Sequence, residues 1–234
     1  MSLNNAARPP NWGAIRLVAF DVDGTLYKQR QLRVRMALDL ARHAISRRKL
    51  DTVRVLRAYR GIREQMGECE VMDFDNALID ATAVATGQPG NEIRVLVREW
   101  IDERPLPYLA ACRYPGLPEL FSALRRSGKI IGVLSDYPVA AKLAALGLSA
   151  DHMVCAGDRN VGVLKPHPRG LEVLMAAAGV RAHETVLIGD RPNRDGLAAR
   201  RAGAWSLIRS RSPRDGWPTF SRFDGEPFIP LLQN

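Results

Sequence analysis

No stretch of this 234-residue chain approaches the ~18 uninterrupted apolar residues of a membrane span, which argues against a bilayer-crossing protein. The amino terminus, MSLNNAARPPNWGAIRLVAF, lacks a charged start followed by a long apolar segment and a cleavage site. A cytoplasmic location is therefore expected. Cysteine is scarce: Cys69, Cys112 and Cys155 are odd in number, scattered and in no metal-binding spacing. That excludes a disulfide framework and suits a reducing compartment, with all three expected to pack as small hydrophobes. There is no internal repeat and no low-complexity tract, and nothing in the sequence specifies an oligomeric state. Acidic residues are outnumbered, 25 against 34 Lys and Arg, for a formal charge of +9. Such a surface attracts anions, and the charge alone does not choose among phosphorylated small molecules, nucleic acid and acidic proteins.

What is present is enough apolar material, 46% of residues, to bury a core. Strand-like runs recur at residues 15–21, 129–136, 152–157, 184–190 and 204–208. Most are continuous Val/Ile/Leu-rich runs, the pattern of strands buried on both faces in a parallel sheet. Between them lie helical patterns at 116–127, 138–146, 168–178 and 195–202. Prolines near the starts and glycines just past the ends punctuate most of them. Strand alternating with helix over 113–210 predicts a doubly wound α/β, Rossmann-like domain with right-handed crossovers.

Residues 28–112 break the alternation. They carry amphipathic helical patterns at 34–47, 51–66, 74–86 and 91–103, so an all-helical cap domain inserted into a core of 1–27 and 113–234 is expected. Linkers are expected near Tyr27 and near 104–107 (RPLP). The first half of the insertion is basic, with Lys28, Arg30, Arg33, Arg35, Arg42, Arg47, Arg48, Lys49, Arg54, Arg57, Arg60 and Arg63 against Asp39, Asp51 and Glu64. A solvated helix face is the plainest reading; contact with an anionic substrate or with nucleic acid are the alternatives. The tail from 211 onward is expected to be pinned by Trp217, Phe220, Phe223 and Phe228.

In an open parallel sheet, ligands bind beyond the carboxyl ends of the strands. There the sequence sets Asp21 and Asp23 after the first strand, Ser135 and Asp136 after the second, and Asp190 after the fourth, with Asp195 on the following turn. Lys165, in VLKPHP, precedes the helix that leads to the fourth strand. Carboxylates gathered at one edge repel one another and are driven toward protonation unless a cation sits among them. Oxygen ligands of this kind suit Mg²⁺, and the metal with Lys165 would make a pocket for a phosphoryl group.

DVDGT, then a strand ending GVLSD, then LKPHP, then a strand ending GDRPNRD resembles the haloacid dehalogenase superfamily, whose four motifs stand here in the family order. The insertion resembles the family's helical cap. The resemblance implies a phosphatase acting on a small phosphorylated metabolite, with Asp21 as nucleophile forming an aspartyl-phosphate and Asp23 as general acid, then base. It implies that Thr25 orients the acid and, with Ser135, Asp136 and Lys165, serves the phosphoryl group. It also implies that Asp21, the Asp23 main-chain carbonyl and Asp190 hold Mg²⁺, with Asp195 behind them. Family dehalogenases lack an aspartate at the position of Asp23, so its presence favours phosphate esters. A sugar-phosphate mutase using the same residues, and a non-catalytic protein gripping nucleic acid through the cap, are the alternatives.

His167 stands where an acidic residue is common; with Arg191 and Arg194 it is expected on the solvated surface. His43, His152 and His183 show no ligand spacing and are expected at the surface or at helix ends. Trp12, Trp100, Trp205 and Trp217 are expected to anchor packing.

Overall fold

The run Leu17–Phe20, four apolar residues in succession, forms strand β1 with every side chain buried. A computed structural model describes residues 9–47 and 51–233. Beside β1 lie β2 (Ile130–Ser135) and β4 (Thr185–Gly189); β3 (His152–Cys155), β5 (Trp205–Arg209) and β6 (Thr219–Phe220) extend the sheet outward. The order is β3-β2-β1-β4-β5-β6, and every pairing is parallel. The chain moves outward from β1 through β2 and β3, then crosses back to β4. This reversal opens a crevice beyond the carboxyl end of β1. Phe20 is level with Val133 on one side and Ile188 on the other, so Asp21, Ser135 and Asp190 emerge close together.

Side chains of β1 alternate between two cores. Val18 and Phe20 join Phe121 and Leu124 of α6 (Leu117–Arg126), together with Phe220, Phe223 and Phe228 of the tail. Leu17 and Ala19 join Leu171 and Leu174 of α8 (Arg169–Ala178) and Ala198 and Ala199 of α9 (Leu197–Arg201). Full burial of a side chain such as Phe20 contributes about 1.5–3 kcal/mol. Two-sided burial explains why the strand sequences show no alternation of polar and apolar residues.

The inserted segment is helical: α1 (Gln29–Arg47), α2 (Asp51–Glu68), α3 (Phe74–Thr86), α4 (Gly90–Val97) and α5 (Leu106–Cys112). Its own core joins Val55, Leu56, Tyr59, Phe74, Leu78, Ile93, Trp100 and Ile101, and touches the sheet domain at Ala156 and Leu164. One helix over 91–103 was expected; instead α4 opens at Arg98–Glu103 into a π-helical turn. Trp100 and Ile101, adjacent in sequence, are both buried there. The helix expected at 195–202 likewise begins as a π-helical turn, Pro192–Gly196.

Entry to and exit from the insertion run side by side, with Tyr27 bridged to Arg113 and the Lys28 amide donating to the Cys112 carbonyl at 2.9 Å. We propose to divide the chain there, with 28–112 as cap. The expected second linker near 104–107 is occupied by the end of the π-helical turn and the start of α5.

Short α10 (Ile229–Leu232) ends the described tail. Phe220, Phe223 and Phe228 form one buried cluster, and Trp12 packs on Phe228 at 5.6 Å while donating to the Pro227 carbonyl at 2.7 Å. Trp217 is half-buried and stacks on the Arg200 guanidinium. Cys112 is buried and Cys155 half-buried, but Cys69 is exposed just beyond α2, where little remains to cover it. His43 meets the Trp100 ring edge-on at 5.1 Å, so the cap packs it rather than leaving it at the surface. Arg48 and Lys49 lie outside the described residues, and no helix among those described is long and apolar enough to cross a membrane.

Candidate active site

Cap and sheet domain enclose a cavity of about 830 Å³ above the carboxyl ends of the strands. At its floor, the Lys165 ammonium donates to Asp21 Oδ1 at 2.5 Å and to Asp195 Oδ1 at 2.7 Å. Asp21, Lys165 and Asp195 are all nearly inaccessible to solvent. Asp195 Oδ2 accepts the main-chain N–H groups of Asp190 (3.2 Å) and Arg191 (3.0 Å), which shapes the loop after β4. Asp21, Asp190 and Asp195 each bring a carboxylate oxygen within 4.8 Å of the others.

Three carboxylates thus face one ammonium. Burial pushes the Asp21 carboxyl well above the usual range, Lys165 opposes it, and Asp195 and Asp190 push further upward. Asp190 is pushed up to about 6 by burial and by Asp195. Burial disfavours the charge on Lys165, but Asp195 and Asp21 outweigh it and hold the ammonium well above its ordinary value. Asp190 Oδ1 is buried and accepts no hydrogen bond from the described residues. An unpartnered buried carboxylate oxygen beside two others is a donor set that suits a hard divalent cation.

Gly24 makes the close approach feasible. Its φ is +98°, and a methyl group there would stand 2.3 Å from Asp190 Oδ2. Glycine alone supplies both the backbone conformation and the space.

The other expected site residues are placed as follows. Asp23 lies two residues from Asp21, yet its carboxylate turns to a different set of partners. Lys142 Nζ, on α7 (Ala140–Ala145), donates to both Asp23 oxygens at 2.8 and 3.0 Å, and the Tyr27 hydroxyl donates to Oδ1. Burial pushes the Asp23 carboxyl up, but the Lys142 charge and the hydrogen bonds from Lys142 and Tyr27 prevail and hold it below the usual range. The Thr25 hydroxyl is fully buried and donates to Asp21 Oδ2 at 2.9 Å. Ser135 Oγ is buried and accepts the Tyr137 amide at 3.1 Å. Asp136 lines the cavity, and its Oδ1 accepts the Lys165 amide at 3.2 Å.

Arg194 departs from expectation. Far from being a solvated surface residue, it is 4% exposed and donates to the Lys165 carbonyl, to the Glu64 carbonyl at 2.8 Å and to Glu64 Oε2 at 2.6 Å. It passes beneath α2 where residue 67 is glycine; a methyl group there would fall 1.9 Å from Arg194 Nη1. Half-buried Arg191 grips the same Glu64 carboxylate through two nitrogens, at 2.7 and 3.0 Å. The loop carrying Asp190 and Asp195 is therefore tied to the cap. His167 is half-buried, and its Nδ1 accepts the Arg169 amide.

Nor is the basic stretch of the cap one uniform solvated face. Arg63 is buried, donates to the Asp136 carbonyl and lies 4.2 Å from the Tyr137 ring centroid. Arg33 and Arg60 are exposed at the cavity wall. Opposite the polar floor, Leu32, Met36, Leu40, Leu56, Trp100 and Ile101 give the cap side an apolar lining.

Sequence reasoning missed Lys142, Tyr27 and Glu64. A lone lysine in the otherwise apolar helix AAKLAA, directly after the Ser135–Asp136 pair, was the available signal, as was a tyrosine four residues after Asp23 in a tight turn. Glu64 carried no local signal, because its partners lie far along the chain.

A buried carboxylate bridged to a lysine, within a group of three aspartates at the switch point of a parallel sheet and under a helical cap, is the arrangement to set beside known proteins. A model of the haloacid dehalogenase-like hydrolases matches residues 15–203, and the chain belongs to that family. It is an enzyme of the phosphatase type, its helical cap set between the first two motifs. Among curated proteins it is similar to a phosphoglycolate phosphatase of Yersinia pestis, 29% identical over 196 residues covering 81% of this chain and 78% of the relative. A phosphoserine phosphatase of Thermus thermophilus is 31% identical over 115 residues, 47% of this chain and 46% of the relative. Among solved structures, the putative HAD-hydrolase YfnB from Bacillus subtilis, described as bound to magnesium, aligns at TM-score 0.66 and 16% identity, covering 93% of this chain and 98% of that one. A 2-haloacid dehalogenase from Pseudomonas syringae aligns at TM-score 0.64 and 21% identity, covering 94% and 98%. Those two likenesses speak to the fold.

Proposed function

We propose that the protein is a Mg²⁺-dependent phosphomonoester hydrolase that works through an aspartyl-phosphate on Asp21. The observation that carries this reading is the Lys165 bridge between Asp21 and Asp195, beside the buried, unpartnered oxygen of Asp190. Asp21, Asp190 and the main-chain carbonyl of Asp23 would hold the ion, with Asp195 orienting the loop behind them. Bound there, Mg²⁺ would supply positive charge that lets a phosphate dianion approach a carboxylate.

Thr25 and Lys165 hold Asp21 in place, one on each oxygen, so the carboxylate meets phosphorus in line as the bond to the ester oxygen breaks. Lys165 then offsets charge building on the phosphoryl oxygens, with Ser135 beside it. Asp23 gives a proton to the departing alkoxide. An incoming dianion raises the proton affinity of this carboxyl, countering Lys142. In the second half, Asp23 takes a proton from the water that attacks the aspartyl-phosphate, releasing phosphate and restoring Asp21.

The cavity narrows the leaving group. Its apolar cap wall and the exposed guanidiniums of Arg33 and Arg60 fit a small metabolite with an apolar portion and a second anionic group. The relatives named for phosphoglycolate support an acidic leaving group. About 830 Å³ leaves room for one larger than glycolate.

A phosphate-release screen over phosphorylated metabolites with Mg²⁺, run beside Asp21→Asn, tests the proposal. Turnover of at least one monoester that the substitution abolishes is expected. Release that survives Asp21→Asn would overturn the nucleophile, and phosphoryl return to substrate with a bisphosphate requirement would identify a mutase.

A further inference from the structure

Two carboxylates two positions apart have separate cationic partners. Asp21 is held by Lys165 and Thr25, whereas Asp23 is held by Lys142 and Tyr27. Lys142 is 4% exposed, and among the described residues both hydrogen bonds of its ammonium go to Asp23. A buried ammonium carries a large desolvation cost, and the rest of helix α7, AAKLAA, is apolar and does nothing to offset it. The ammonium also lies 5.0 Å from the Tyr137 ring centroid, which walls it from the other side. Tyr27 is buried too, with only its hydroxyl reaching Asp23. Lys142, Tyr27, Asp21 and Asp23 all line the same cavity.

We propose that Lys142 and Tyr27 are positioning residues that hold the Asp23 carboxyl at the leaving-group side of the cavity for proton transfer to the ester oxygen. The proposal rests on the phosphatase reading above. Its physical content is competition between two lysines. Lys165 is a second cation whose field reaches Asp23, and a carboxylate drawn that way would join the crowded Asp21 cluster. Three hydrogen bonds from Lys142 and Tyr27 fix the rotamer against that pull. Because both holders lie outside the Asp21–Lys165–Asp195 group, their loss should spare attack on phosphorus and impair protonation of the leaving oxygen.

Two esters of similar shape separate these steps. Benzyl phosphate departs as an alkoxide that needs a proton; p-nitrophenyl phosphate departs as a stabilised phenoxide that does not. The experiment measures the single-turnover rate of alcohol or phenol release, which reports phosphorylation of the enzyme alone, for both esters with wild-type protein, Lys142→Met, Lys142→Arg and Tyr27→Phe, in saturating Mg²⁺, with circular dichroism to check the fold. The later attack of water on the aspartyl-phosphate uses Asp23 as base whichever ester was cleaved, so steady-state kcat would mix its two roles. For Lys142→Met, release of benzyl alcohol should slow about 10²-fold, the scale of a misplaced catalytic group. Release of p-nitrophenol in the same step should stay near wild type, with the half-saturating concentration of either ester little changed. Tyr27→Phe should show the same selectivity to a smaller degree, and Lys142→Arg should recover part of the loss. Equal losses in this step on both esters, or none on either, would overturn the proposal. If Lys142→Met does not fold, Tyr27→Phe, which removes one oxygen, decides by the same criterion. Wild-type protein inert toward both esters and toward the metabolite screen would sink the phosphatase reading itself; selective turnover without the variant pattern sinks only the positioning role.

Discussion

Replacing Gly24 with alanine should disable the cation site while leaving the fold standing. The new methyl group would lie 2.3 Å from Asp190 Oδ2 and 2.8 Å from its Cγ, whereas ordinary contact begins at 3.4 Å. The Asp190 carboxylate must therefore retreat by about 1 Å, a displacement that can lower turnover ~10²-fold at a catalytic centre. Retreat along the loop is opposed by Asp195, which holds the Asp190 and Arg191 amides. The backbone adds its own penalty, since φ of +98° at a residue with a Cβ costs about 1–2 kcal/mol. At ~2–4 °C per kcal/mol for a chain of this size, Tm should fall by about 2–8 °C. Calorimetric titration with Mg²⁺, far-ultraviolet circular dichroism and turnover of p-nitrophenyl phosphate read the three effects separately. A folded Gly24→Ala protein that binds Mg²⁺ and turns over like wild type would refute the reasoning, because it would mean that Asp190 need not sit against residue 24.

Glu64→Gln should loosen the tie between the cap and the loop after β4. Glu64 is half exposed, so the lost charge is worth only about 1 kcal/mol, expected as a roughly fivefold rise in KM with kcat nearly constant; an unchanged KM would argue against the tie. Mg²⁺ should also stabilise the protein more at pH 7 than at pH 5. Burial and Asp195 hold Asp190 at about 6, above its ordinary 3.8, so the metal-free fold keeps a proton that the unfolded chain has released. Metal-free stability therefore falls as pH rises between those values, and the ion must displace that proton at the lower pH. With Mg²⁺ at a hundred times its Kd, a gain of about 2.7 kcal/mol is expected at pH 7. A Tm increment equal at the two pH values would contradict the placement of Asp190.

Much of the site could be read in the sequence because its floor is built from strand ends. Continuous buried runs such as Leu17–Phe20 and Thr185–Gly189 mark the strands, and the polar residue that ends each run must fall at one edge of a parallel sheet. Asp21 and Asp190 converge for that reason, and Lys165 and Asp195 reach them from the segments that follow β3 and β4. Residues whose place depends on cap against core were not legible. Arg194 reads as one more charge in RPNRD, and only the glycine at position 67, on another element, shows that its guanidinium is buried. Lys142 escaped for a different reason: its partner Asp23 lies in the same domain but 119 positions away, and a lone lysine in an apolar helix does not name its partner. The π-helical turn at Arg98–Glu103 escaped because periodicity assumes 3.6 residues per turn and does not register a single wider turn.

The central claim is that Asp21 attacks phosphorus, and trapping the phosphorylated enzyme tests it most directly. Protein mixed with a turned-over monoester and Mg²⁺ is quenched in acid within one turnover, reduced with borohydride and mapped by peptide mass spectrometry. Conversion of Asp21 to homoserine, dependent on substrate and absent in the unreacted enzyme, is the expected result. Turnover with Asp21 unmodified at every quench time, or with the phosphoryl group on another residue, would contradict the account.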